Sequence, residues 1–78
     1  MNNNELEALY DKVKNKTASR SEELQLLDLL YDEKQIPQEN YKKNKDKLEK
    51  NIDVDVVVAF ILVIAGLFLA IKILSDNK

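Results

Sequence analysis

The last part of the chain is an uninterrupted apolar segment. Sixteen consecutive positions, 56–71, carry no charge or hydrogen-bonding side chain, and crossing Lys72 extends the stretch to Leu74. The resulting nineteen-residue helix is about 28 Å long, close to the hydrocarbon core of a bilayer at about 30 Å. The rest of the chain is too short and too polar to cover every face of such a helix. The pattern predicts a transmembrane helix over residues 54–74 and an external tail at 75–78.

Two amphipathic helices are predicted in the first half of the chain. The first, over about residues 4–16, has apolar residues at i, i+3, i+4 and i+7, which places them on one face. The second, over about residues 20–33, starts with Ser19 and Glu22 at the S-x-x-E spacing of a capping box. The apolar positions of the two faces are Leu6, Leu9, Tyr10 and Val13, then Leu24, Leu27, Leu30 and Tyr31.

A third helix is predicted over about residues 37–51. Pro37 has no N–H to donate and is tolerated in a first helical turn, so it marks the start of this helix. The second and third helices should then form a hairpin over residues 19–50, with the first helix laid across it. Residues 51–53 could cap a new helix or be passed through, and we expect one continuous helix with a bend into the apolar segment.

The hairpin carries a recognisable order of residue types. Two leucines at i and i+3 precede a turn, and an isoleucine, an acid, an aromatic residue, a lysine and a leucine follow. These residues are Leu27, Leu30, Ile36, Glu39, Tyr41, Lys45 and Leu48. Over residues 23–49 this order resembles the bacterial SHOCT (short C-terminal domain) family.

Three positions depart from the family pattern. The turn glycine of the family corresponds to Lys34, so the left-handed end of the second helix must form without glycine. The capping threonine corresponds to Pro37, and the glutamate before the aromatic residue corresponds to Asn40. The family also places this hairpin at the C-terminus, whereas here it precedes the apolar segment. The resemblance implies a small helical interaction or oligomerisation module without catalytic residues.

Charge separates along the first part of the chain. Residues 5–33 carry four basic and eight acidic side chains, whereas residues 34–50, beside the apolar segment, carry six basic and three acidic ones. Since positive residues stay on the cytoplasmic side, residues 1–50 are predicted to be cytoplasmic. Contact with lipid head groups would explain why these lysines cluster beside the apolar segment, and so would a solvated helix face with Lys/Glu pairs. The candidate head-group contacts are Lys42, Lys43, Lys45, Lys47 and Lys50, with Lys72 at the far end.

Small residues in the apolar segment are candidates for helix packing within the membrane. Gly66 and Ala70 form a small-xxx-small pair, which lets two helix backbones approach closely. Ala59 lies seven residues before Gly66 and on roughly the same side. Helix contact and the ordinary abundance of small residues in membrane helices both explain the pair. The candidate core or partner contacts in the hairpin are Leu24, Leu27, Leu30, Tyr31, Ile36, Tyr41 and Leu48.

Composition excludes several kinds of chemistry. The 78 residues include no Cys, no His and a single Gly, and the net charge is -2. These absences exclude zinc and iron–sulfur sites, thiol chemistry, acid–base chemistry by histidine, and a glycine-rich phosphate loop. We therefore expect no enzyme activity, cofactor, metal or small-molecule substrate. The acidic balance, with no interleaving of basic and aromatic residues, also argues against nucleic-acid binding.

The features together favour an all-α, tail-anchored, single-pass membrane protein. Its expected partners are the lipid bilayer and other membrane proteins or a second copy of itself, and its expected location is the bacterial inner membrane. The leading hypothesis is a structural or accessory subunit, or an adaptor, in a larger membrane assembly. The alternatives are a virion or phage-encoded membrane protein, structural or lysis-related, and a lipid-surface-binding regulatory module.

Overall fold

Four α-helices account for the fold of residues 3–76, which are the residues that the computed structural model describes. No strand is present in this range, so the predicted all-α fold is confirmed. The helices are α1 (Asn3–Lys14), α2 (Arg20–Asp32), α3 (Gln38–Glu49) and α4 (Val54–Asp76).

The ends of the helices follow local sequence signals. Ser19 Oγ accepts the N–H of Glu22 at 3.2 Å, and the N–H of Ser19 donates to Glu22 Oε1 at 2.9 Å, which confirms the predicted capping box. Lys34 has φ 61° and Gln35 N–H donates to Leu30 O at 2.9 Å, so α2 ends in the left-handed turn of a Schellman motif without glycine.

The expectation of a continuous helix from α3 into α4 is wrong. Asn51 and Asp53 have φ of 60° and 49°, which is left-handed backbone that interrupts the helix. Asn and Asp tolerate this conformation better than most residues. Because the chain turns here, α4 packs beside the other three helices and one of its faces is buried, which a straight continuation of α3 would not allow.

The second and third helices form an antiparallel hairpin. Near the end of α2, Tyr31 stacks on Tyr41 at the start of α3, with ring centroids 4.1 Å apart and an interplanar angle of 9°. At the opposite end, the guanidinium of Arg20 donates to the carbonyl of Leu48 at 2.9 Å. These contacts fix the register of the two helices, and α1 and α4 pack against this pair.

One core joins all four helices. Each helix contributes one apolar face, as the helical periodicity requires. The buried residues are Leu6, Leu9 and Val13 of α1, Leu26, Leu27 and Leu30 of α2, Ile36 of the turn, Leu48 of α3, and Val57, Ile61, Ala65, Phe68 and Leu69 of α4.

Candidate membrane-spanning helix and its docking surface

The fourth helix is long and apolar enough to cross a membrane. It has 23 residues and is therefore roughly 35 Å long, which exceeds the about 30 Å of a bilayer core. Only 28% of its most apolar 18-residue window is buried within the chain. The helix thus has the length and composition of a membrane span, and most residues of this window are only partly covered or exposed in the described structure.

Two opposite faces of α4 differ in what covers them. The inner stripe faces the other helices and consists of Val57, Ile61, Ala65, Phe68 and Leu69, which are all buried. Large apolar residues elsewhere on α4 are between 57% and 72% exposed, and we call them the outer stripe. They are Val56, Val63, Leu67, Ile71, Ile73 and Leu74.

The inner stripe was not expected from the sequence, which suggested that residues 1–50 and the apolar helix are separate parts of the molecule. In the structure α4 packs against α1, α2 and α3. The first fifty residues are indeed unable to surround α4, but they are sufficient to cover one face of it. A helix that is apolar all round gives no signal of which face this would be.

The three small residues of α4 that were predicted to pack within the membrane differ in their surroundings. Gly66 is half-buried beside α1, and a Cβ atom at Gly66 would lie 3.2 Å from the hydroxyl oxygen of Tyr10. The space above this glycine is therefore filled by a side chain of α1. Ala59 and Ala70 are exposed, and Ala70 borders a cleft shared with Glu7 and Tyr10 of α1.

A guanidinium group holds the turn before α4. Arg20 Nη1 donates to the Leu48 carbonyl and to Asn51 Oδ1 at 2.9 and 3.0 Å, and Arg20 Nε donates to Glu23 Oε1 at 2.8 Å. The planar fork of Arg suits several acceptors at once. Arg20 is the single arginine of the chain, but it belongs to no sequence motif, and the sequence alone did not identify it.

The predicted lysines differ in their surroundings. Lys45 donates to the Tyr41 hydroxyl at 3.3 Å, and this hydrogen bond raises the pKa of Lys45 above its usual value. Lys47 and Lys50 each form an ion pair. Lys47 Nζ lies 3.7 Å from Asp53 Oδ2, and Lys50 Nζ lies 3.3 Å from Asp46 Oδ1. Lys42 and Lys43 are exposed and have no ion-pair partner among the described residues.

At the far end of α4, Lys72 is half-buried and lies over the ring of Phe68, with 5.5 Å from its amine to the ring centroid. This contact keeps the ammonium beside the helix. The stem of a lysine in this position can follow an apolar surface while its charge reaches towards water.

The predicted hairpin contacts are divided between buried and half-buried positions. Tyr41 donates its hydroxyl to Asp28 Oδ1 at 2.6 Å, and this bond raises the pKa of Tyr41. Leu26, which is not among the predicted contacts, is buried as well. Of the predicted contacts, the buried ones are Leu27, Leu30, Ile36 and Leu48, and the half-buried ones are Leu24, Tyr31 and Tyr41.

Within the part of the chain that the structure describes, no three acidic side chains converge in a way that could hold a metal ion. The resemblance of the hairpin to the SHOCT family stays a prediction. Comparisons of the chain with protein-family models, with curated proteins and with solved structures find no match.

Proposed function

We propose that this chain is a small single-pass membrane protein that serves as a structural or accessory subunit, or as an adaptor, in a larger membrane assembly. In this proposal α4 crosses the bilayer, and α1, α2 and α3 form a cytoplasmic module. The observation that carries it is the outer stripe, a continuous apolar surface on a helix of membrane-spanning length.

Burial of the outer stripe in lipid would stabilise α4 in the membrane. Six large apolar side chains remain more than half exposed in the described structure. Each would gain about 1–2 kcal/mol on transfer from water to an apolar environment. A bilayer supplies that environment along the whole helix, and no other segment among the described residues covers this face.

The orientation follows from the basic residues near the start of α4. Lys42 and Lys43 are exposed and lie in the first half of α3, the helix that precedes the turn into α4. Such lysines favour the cytoplasmic side and an anionic leaflet. Lys72 lies near the opposite end, where its stem can reach the far head groups. We therefore place the N-terminal module in the cytoplasm.

The adaptor role is supported by the size of the N-terminal module. Three helices of 12 or 13 residues are short, and modules of this size gain much of their stability from association. Its resemblance to the SHOCT family agrees with an interaction or oligomerisation role. The proposed partners are other membrane proteins or a second copy of the chain.

Membrane integration and orientation are tested by cysteine labelling. Because the chain has no cysteine, Thr17→Cys on the N-terminal side and Ser75→Cys beyond the apolar segment each introduce a single thiol. In bacterial spheroplasts an impermeant maleimide should label the variant at position 75. It should label the variant at position 17 only after permeabilisation, and both should resist alkaline carbonate extraction. Extraction by carbonate would refute the membrane span, and the reverse labelling would refute the orientation.

The accessory role is tested by purification from native membranes in a mild detergent. A co-purifying membrane protein or a defined oligomer is the expected result. Site-specific photo-crosslinkers at Ala59 and Ala70, both exposed on α4, should trap this neighbour within the membrane. A lone monomer without crosslinked products would contradict the proposal of a subunit or adaptor while leaving the membrane span intact.

A further inference from the structure

We infer that α1 is an internal cover for α4, and that α4 exchanges between the docked arrangement described above and a membrane-inserted one. Release of α1 from α4 would then control insertion. This inference rests on the proposed function, because it requires that α4 enters a bilayer. It adds that the inner stripe of α4, which α1 covers together with α2 and α3, has lipid as an alternative partner.

The docked arrangement places α1 against the middle of α4. The inner stripe shares one apolar cluster with Leu6, Leu9 and Val13 of α1. Tyr10 lies on Gly66, which is close to the midpoint of α4. In a bilayer crossed by α4, this midpoint would lie deep in the hydrocarbon.

The charges of α1 prevent it from following α4 into lipid. Outside the buried stripe of Leu6, Leu9 and Val13, α1 carries three acids and two lysines, all of them exposed. Ionised side chains at the depth of Gly66 are strongly unfavourable, because nothing there replaces their hydration. The docked and the spanning arrangements therefore exclude each other. The charged residues are Glu5, Glu7, Asp11, Lys12 and Lys14.

The turn between α3 and α4 supplies a hinge. Asn51 and Asp53 both have left-handed backbone, a conformation that these residue types adopt at lower cost than most other non-glycine residues. A change of backbone dihedral angles at these two positions would alter the direction of α4 relative to α3 without unfolding either helix. The outer stripe is exposed even in the docked arrangement, so it can make the first contact with lipid before α1 is released.

A covalent lock tests the exchange directly. Asp11 and Ala70 line the same cleft between α1 and α4, so Asp11→Cys and Ala70→Cys place two thiols that a short bismaleimide can bridge. The full chain is synthesised without membranes, bridged, and mixed with vesicles of phosphatidylcholine and phosphatidylglycerol. Leu67→Trp supplies the single tryptophan, whose blue shift reports insertion. The bridged chain should insert at about one tenth of the rate of the same variant capped with N-ethylmaleimide, or more slowly still.

A pair of leucine substitutions tests the cover without a crosslink. Gly66→Leu forces a side chain against Tyr10 and should speed insertion by loosening α1. The matched control Ala59→Leu adds a leucine at an exposed position of the same helix and should leave the rate near that of the parent. Equal rates for the two variants would contradict a covering role for α1.

The outcomes separate this inference from the proposed function. Equal insertion of the bridged and capped chains would overturn the cover and leave the membrane span in place. A failure of the bismaleimide to join the two cysteines within one chain would also overturn it, because α1 would not be docked. If the capped chain and the parent never enter vesicles, the proposed function itself fails.

Discussion

Removing the guanidinium of Arg20 should destabilise the N-terminal module measurably. The variant Arg20→Met keeps an unbranched apolar stem and deletes all donors, while Arg20→Lys keeps the charge and loses the planar fork. The side chain joins the start of α2 to the end of α3 and to the turn before α4. The Leu48 carbonyl belongs to α3, so the larger part of the effect should not depend on whether α4 is docked or inserted.

The magnitude follows from the three hydrogen bonds. The bond to the Leu48 carbonyl is partly buried and should contribute about 1–2 kcal/mol as a charged hydrogen bond. The bond to Asn51 is exposed, and the ion pair with Glu23 involves an Arg20 side chain that is 38% exposed, so solvent screens both. They should add a few tenths of a kcal/mol each, which gives a loss of about 2 kcal/mol for Arg20→Met.

The loss is measured as a shift in thermal unfolding followed by far-ultraviolet circular dichroism in a mild detergent. At about 4–8 °C per kcal/mol for a domain of this size, the melting temperature should fall by roughly 8–16 °C. Arg20→Lys should show an intermediate fall, since it keeps one donor group. A melting temperature for Arg20→Met within about 2 °C of the parent would refute the role of Arg20, as would a full recovery of stability in Arg20→Lys.

Four further substitutions test the N-terminal module, each by thermal or denaturant unfolding against the parent. Ser19→Ala removes the capping acceptor of α2 and should cost about 1 kcal/mol; no loss would contradict the cap. Leu30→Ala empties a fully buried site and should cost about 2–5 kcal/mol, so a loss below about 1 kcal/mol would place Leu30 outside the core. Tyr41→Phe removes the bond to Asp28 and should cost about 1 kcal/mol. Because that bond raises the pKa of Tyr41, its stabilisation is present below the ordinary tyrosine pKa and is lost as pH rises through the raised value. The variant should therefore lose less stability than the parent at alkaline pH. Glu22 has a lowered pKa, chiefly through its hydrogen bond with Lys12, so its contribution is present above the ordinary glutamate pKa and is lost as pH falls through the lowered value. When the free energy of unfolding is measured as a function of pH, Glu22→Gln should show a smaller loss of stability at acidic pH than the parent.

The features that the sequence predicted well are governed by nearby residues. The capping box at Ser19 needs only a partner three positions later. The left-handed end at Lys34 follows from the turn between two amphipathic helices, even without glycine. Helical periodicity likewise predicted most of the buried positions in α1 and α2, because each of these helices has a polar side that must face water.

The features that the sequence did not predict depend on distant parts of the chain. Residues 51–53 are compatible with either a bend or a break, and the choice is decided by the burial of the inner stripe, far along α4. Arg20 is 28 residues from Leu48 and 31 from Asn51 in sequence, so no local pattern reveals that it joins them. The contact between Tyr10 and Gly66 is equally remote, and Gly66 is as compatible with a notch for a membrane partner as with a site for α1.

The two proposed states of α4 differ in how they bury the apolar residues of α1. When α4 is docked, Leu6, Leu9 and Val13 of α1 are buried. When α4 is in lipid, these three residues lose the inner stripe and would forfeit about 1–2 kcal/mol each unless another surface replaces it. A partner helix that fits this face would bind only the released form of α1, and by linkage it would also favour insertion of α4. The proposed adaptor role and the proposed exchange are therefore coupled. A partner of the N-terminal module should raise the inserted fraction of α4, and Leu9→Asp should abolish that effect.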